Sequence, residues 1–316
     1  MKCVSTFTNT DIKLGLFKQG SGVINDLTID NVVYMVDNKA TDGKTYNAYF
    51  GGLVAYTNFQ ILVINGCALT DTSGRSSVSI TTTGETTSLG GLAGWVNSGY
   101  FNNCYSEVNI SGSGNYVGGL VGYGSSVTFA SCYSSGNVSG SGNYVGGLVG
   151  YGSSVTFASC YSSGNVSGGN VSGSGNIGGL VGSSGSATLS LCHFSGSVTG
   201  SGSVGGLVGD ASTATLTSCY STGNVTSSNQ VGGLVGYANT ATAIKNCFFA
   251  SSTNLKAVGD LGSSATLTIT NSYACMPGDV TETGLVTATK EQLNTKSFYT
   301  DVLGWSEDVW DFKKGS

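Results

Sequence analysis

Three sets of residues in this 316-residue chain have types and spacings that could do chemistry. Cys104, Cys132, Cys160, Cys192, Cys219 and Cys247 recur every 27 to 32 residues. Thiolates can bind zinc, but zinc needs two to four converging ligands, and the usual Cys-x-x-Cys spacing does not occur. The second set is aromatic. Tyr105, Tyr133, Tyr161, His193 and Tyr220 each follow one of these cysteines, and Tyr56, Trp95, Tyr123, Tyr151 and Tyr237 each close a Gly-Gly-Leu segment. Exposed rings in a row can stack on sugar rings or grip a protein. The third set is charged: Asp37, Lys39, Asp42, Lys44, Arg75 and Glu85 are six of the thirteen charged residues among the first hundred.

Catalysis is not expected from any of them. Solenoid hydrolases and lyases use clustered carboxylates or basic residues, whereas Asp210 is the one acid between Val108 and Gly259. His193 is the only histidine and replaces Tyr in its series. Calcium ladders need Asp-rich turns, which are missing, so neither metal nor cofactor is expected.

What must position these residues is a repeat. The thirty residues from Ser111 to Gly140 recur unchanged as Ser139 to Gly168, displaced by 28 positions, and looser copies run from Leu14 to the neighbourhood of Cys275. A period of this length means stacked units, each completed by its neighbours. Gly at 51 residues, with Pro at one, rules out helical repeats, since each helical Gly costs about 0.8 to 1 kcal/mol relative to Ala.

Aligned on the cysteines, the residue three places earlier is apolar in every copy: Ile24, Ile64, Phe101, Phe129, Phe157, Leu189, Leu216, Ile244 and Ile269. This column and the Cys column both point inward. Their odd separation breaks the alternation of a flat strand, so a corner lies between them. Asn25-Asp26, Asn65-Gly66, Asn102-Asn103, Ser131, Ser159, Ser218 and Lys245-Asn246 supply the turn formers. Gly136, Gly164, Gly196 and Gly223 mark a second corner, each followed two residues later by Val. Gly-Gly-Leu-Val supplies a third short strand, with Leu16, Leu53, Leu92, Leu120, Leu148, Leu180, Leu207, Leu234 and Leu261 as a further inward column. The expected fold is an all-β parallel β-solenoid of about nine rungs of roughly 28 residues, three short strands per rung. Rungs ~4.8 Å apart hold equivalent Cβ vectors side by side, not turned toward each other as a disulfide requires, so the cysteines read as buried free thiols.

The recurring Gly-Gly-Leu-Val-Gly, followed by Asn/Ser-Cys-Tyr-Ser-x-Gly-x-Val, resembles the GLUG repeat over about residues 14 to 275. The resemblance implies a β-helical part of a large surface-exposed or secreted bacterial protein, adhesin-like or lying outside the protease of an IgA-specific metallopeptidase. Nothing catalytic carries over, because His-Glu-x-x-His is absent. The chain divides at residue 275, with 276–316 as a C-terminal capping segment. There Thr289 to Leu303 reads as a helix opened by a Thr289/Gln292 capping box. Trp305, Trp310 and Phe312 are expected to cover the open end of the core.

Charge narrows the partners. No Lys or Arg occurs between Ser76 and Ile244, and the net charge is -5, so no basic face exists for nucleic acid. No run approaches a transmembrane span, no signal-peptide pattern follows Met1, and the chain reads as a segment of a longer protein. The function expected is a rigid extracellular or cell-surface spacer whose partner is a host or neighbouring-cell glycan or protein. Tyr105, Tyr133, Tyr161, Tyr220, Tyr123, Tyr151 and Trp95 are the candidate ligand contacts. The charged set sits on an insertion edge formed by 37–47, 71–88 and a slip at 169–173. Two other readings are a stalk beside an enzyme domain and, from the row Thr128, Thr156, Thr188 and Thr215, an ice-binding or other repetitive surface. The sequons at Asn109, Asn137, Asn165, Asn170 and Asn224 read as corner residues, because sugars ~5 Å apart would clash.

Overall fold

The computed structural model describes residues 2–308 apart from 9, 40, 43, 58–59, 83–86 and 169–174. The chain is an all-β parallel solenoid with three sheets and almost no helix. In the perfect repeat, Tyr116–Gly118 and Val121–Ala130 lie on a wide face, Tyr133–Ser134 on a ring face and Val138–Gly140 on a Val face. Among the described residues, seven rungs starting at Ile12 contribute to all three faces. Two more, from Val231 and Lys256, reach only the wide and ring faces. The nine rungs expected therefore make about seven complete turns. Among the described residues no helix is long and apolar enough to cross a membrane.

Like lies on like at every turn. Phe129 pairs with Phe101 and Phe157, and Ile244 with Leu216 and Ile269. The six Cys from Cys104 to Cys247 are fully buried in one core with these residues. The Leu column is fully buried from Leu53 to Leu234, but Leu16 is 46% exposed and Leu261 half-buried, because neither has a complete rung beyond it.

The corner before Cys is a left-handed residue in all nine copies, with φ between 45° and 59° from Asp26 to Asn271. Asp, Asn, Ser and Gly fill it everywhere except Leu191, at φ 55°. Asn and Asp tolerate this region because their short polar side chains bond locally; a Leu there costs roughly 1–2 kcal/mol.

Gly-Gly-Leu-Val is not an independent strand. It kinks at Gly119-Leu120 and then runs on as Val121–Ala130, so the segments expected to be separate share the wide face. Gly118 and Gly119 are needed there for different reasons. A Cβ at Gly118 would strike the Val121 carbonyl across the kink, and one at Gly119 would strike the Gly147 carbonyl and the Ser134 hydroxyl reaching across the core. In the equivalent place Phe194 and Phe249 pack on Gly179 and Gly233.

The C-terminal segment departs from expectation in two ways. The Thr289/Gln292 capping box is present, but the helix spans only Lys290–Leu293, followed by a separate π-helical turn at Phe298–Val302. Tertiary docking of Phe298 and Tyr299 on Tyr273 and Phe248 overrides continuous helix. Trp305 also does not cover the core's end. Met276, Val280 and Leu285 join the main core, Leu285 extending the Cys column beyond Ser272, whereas Phe298, Leu303 and Trp305 form a second cluster on the outside of the ring face. Trp310 and Phe312 lie outside the described residues.

Candidate functional site

The two-residue strands of the ring face turn one side chain in and one out. Ser134 is buried and Tyr133 half-exposed, and the same alternation holds from Tyr105 to Tyr220, whereas Phe248 is buried. Parallel register then forces the outward rings over one another. Tyr105, Tyr133, Tyr161, His193, Tyr220 and Phe248 form one stack with centroids 4.7 to 5.0 Å apart and planes within 7° of parallel. Within the stack each ring face meets another ring, so the ladder presents ring edges and hydroxyls to solvent. Burial pushes the Tyr133 and Tyr220 hydroxyls up to about 12 and the His193 imidazole down to about 4. His193 is thus a neutral member of the stack at neutral pH.

Trp95, Tyr123 and Tyr151 stand elsewhere, on the wide face. Trp95 stacks on Tyr123 at 3.6 Å and Tyr123 on Tyr151 at 5.5 Å. Sequence reasoning missed their companions. Tyr49, Tyr116 and Tyr144 pack edge-on against them, and the Lys13 ammonium lies 4.1 Å from the Tyr56 ring centre. The signal was available: Tyr116 and Tyr144 stand two residues before Gly-Gly-Leu-Val in the perfect repeat. The belt ends where Asn176 succeeds Tyr144 and Ser183 succeeds Tyr151. One rung on, the Asp210 carboxylate accepts from Asn176 Nδ2 at 3.3 Å, and burial raises its pKa to about 6.

The insertion edge is more regular than expected. Val33–Lys39 and Ser77–Thr82 are parallel strands of the Val face, longer than the three-residue strands of later rungs. Asp37 lies in the first of them, half-buried. Asp42 accepts from the Tyr46 hydroxyl at 2.7 Å and the Lys44 amide at 3.1 Å. Arg75 is exposed in a turn held by the Asp71 carboxylate, which accepts its amide and that of Ser76, both at 2.9 Å. The Lys39 side chain, Glu85, the slip at 169–173 and Asn170 lie outside the described residues.

Asn109 and Asn137 accept the amides of Asn137 and Asn165 across rungs at 2.8 and 2.9 Å, which gives these sequon residues a ladder role. The Cys104 and Cys132 thiols donate to the Asn102 and Ala130 carbonyls at 3.2 Å, and burial pushes the Cys192 and Cys219 thiols up, away from the reactive thiolate. Thr128, half-buried, and Thr156, Thr188 and Thr215, exposed, form one row that ends at Tyr100 beside Thr128 and at Ala243 beside Thr215. Glu282, in a cleft of about 500 Å³ beside the last rung, accepts the Ala257 amide at 2.6 Å.

Fold and side-chain columns together define a parallel β-solenoid repeat protein with a continuous external ring stack. No family model and no curated protein matches the sequence. Among solved structures, the chain is similar to one described as a "putative immunoglobulin A1 protease from Bacteroides ovatus", at 18% identity and a TM-score of 0.43, over 95% of this chain and 81% of that one.

Proposed function

We propose that this chain is a non-enzymatic, GLUG-like rigid spacer of a bacterial cell-surface or secreted protein, and that its external aromatic columns form a binding surface for a glycan or protein. The observation that carries the spacer reading is the parallel pairing of strands from rung to rung, shifted in register on the wide face at Ala211–Thr213 and Gly232–Val235, together with six rings that repeat at 4.7 to 5.0 Å without a break. A rod of this kind resists bending because every rung is hydrogen-bonded and packed to the next.

Excision of residues 139–166 joins Val138 to Ser167 in the same local sequence that Val166 already has. The expected product folds cooperatively and is shorter by one rung, ~4.8 Å, in small-angle scattering. A collapsed or unfolded product rejects the modular spacer. The stalk reading is favoured by the ring geometry, since stacked Tyr faces are closed to sugars within the ladder. It predicts that excision alters the reach of the parent protein and leaves its ligand specificity unchanged.

A further inference from the structure

The ring ladder is occupied at one end by the chain itself. Trp305 lies against Tyr220 and Phe248, with centroids 5.9 and 5.7 Å away, and donates its indole Nε1–H to the Asn246 carbonyl at 2.8 Å. The acceptor is the left-handed corner residue, φ 53°, two positions before Phe248. The ladder's share of the seat is therefore two successive outward rings and the corner carbonyl beside them, while Tyr299 of the docked segment itself packs on Trp305 at 5.4 Å.

The same parts recur along the open stretch of the ladder. Ser131 and Ser159 are exposed corner residues with φ 53° and 55°, each two positions before an outward ring, Tyr133 and Tyr161. The flanking amides also bond alike: Ser131, Ser159 and Asn246 donate to Ala158, Ser190 and Thr270 of the next rung, and Tyr133, Tyr161 and Phe248 donate to Cys104, Cys132 and Cys219 of the preceding one, so the three corner peptides are held in the same way. Tyr105, Tyr133 and Tyr161 stack at 4.7 and 4.8 Å, in unbroken continuity with the rings that Trp305 covers. Indole suits such a seat: it offers a broad apolar body and a single N–H donor, and no group that must stay hydrated.

We propose that the open ladder from Tyr105 to Tyr161 binds a tryptophan-bearing polypeptide segment of a partner protein, each indole seated on two rings and donating to the corner carbonyl of Ser131 or Ser159. This rests on the reading of the aromatic columns as a binding surface and narrows its partner to protein. The spacer test by excision is independent of it.

The probe is a synthetic peptide of residues 298–308, which carries Trp305, titrated into the full chain and followed by fluorescence anisotropy. Saturable binding is expected, weakened about tenfold or more by Trp305→Ala in the peptide and by Tyr133→Leu plus Tyr161→Leu in the protein. Tyr133→Phe plus Tyr161→Phe, which keeps both rings, retains it. If the Leu variant fails to fold, the Trp305→Ala peptide against the unaltered protein still decides. No saturable binding at millimolar peptide, equal binding by the Ala peptide, or displacement of the peptide by cellohexaose overturns the proposal. So does binding lost only when the protein's own Trp305 seat is intact and regained by Trp305→Ala in the protein, which would confine the site to the occupied end.

Discussion

Phe129 and Phe157, identical residues 28 positions apart, lie ring over ring in the core with centroids 4.8 Å apart and planes 7° from parallel. The same translation relates Tyr133 to Tyr161 outside the core, at 4.8 Å and 4°. One helical repeat therefore governs both interior and surface. A defect in a single rung acts on its two neighbours, whereas a defect distributed down a column acts on the whole rod.

Leu191 is the defect most open to repair. Its left-handed corner, φ 55°, is filled by Asp, Asn, Ser or Gly in the eight other copies. Leu191→Asn is expected to stabilise the fold by about 0.5–1 kcal/mol, seen as a higher urea midpoint. An unchanged or lower midpoint would show that packing of the half-buried Leu side chain outweighs the strain.

Ser134 and Gly119 test the core seam together. The buried Ser134 hydroxyl has no hydrogen-bond partner, so Ser134→Ala is expected to be neutral or stabilising by up to about 1 kcal/mol. Gly119→Ala places a methyl group against the Gly147 carbonyl and should cost about 2–4 kcal/mol. Denaturation of both variants checks the pair; a tolerated Ala at Gly119 contradicts the close approach.

His193 makes the ring stack sensitive to acid. Its pKa falls from 6.5 to about 4 on burial, so the unfolded chain binds the proton first as pH drops. Stability from this residue is complete above pH 6.5 and is lost progressively toward pH 4. His193→Tyr, which restores the ring type of the column, should gain over the parent by about 2–3 kcal/mol between pH 7 and pH 4. Parallel melting curves at the two pH values would reveal no such divergence if the imidazole were solvated.

Asp210 has the opposite sign. Its folded pKa is raised from 3.8 to about 6 by burial, so ionisation penalises the fold, fully above pH 6 and not at all below about pH 4. Asp210→Asn keeps an acceptor for Asn176 and is expected to stabilise by about 1–2 kcal/mol at pH 7, the gain vanishing at pH 4. A gain that persists at pH 4 would assign the effect to something other than the charge.

Repetition made the fold legible. Identity between Ser111–Gly140 and Ser139–Gly168 fixed the period, the apolar columns fixed which side faces in, and the Asn, Ser or Gly before every column Cys but Cys192 marked a corner that is left-handed in every rung. These follow from the sequence because each depends on neighbours 28 residues away that are the same residue. The irregular stretches resisted the same treatment. The stretches 37–47 and 71–88 read as insertions because they have no close copy, yet 37–39 and 77–82 lie in the strands Val33–Lys39 and Ser77–Thr82, since the adjacent edge was available to pair with.

By itself, then, the sequence determined the stacking of like on like, the buried thiol column and the outward rings, all consequences of a local pattern repeated in register. Only the tertiary structure decided that Tyr49, Tyr116 and Tyr144 interlock with Trp95 and its column, and that Trp305 seats on the ring ladder and leaves the core's end to Met276, Val280 and Leu285. Those contacts join separate strands across a kink, or join the non-repeating end of the chain to its repeats. Their partners are set by how the backbone turns in space and by competition for exposed apolar surface, neither of which the repeat period encodes.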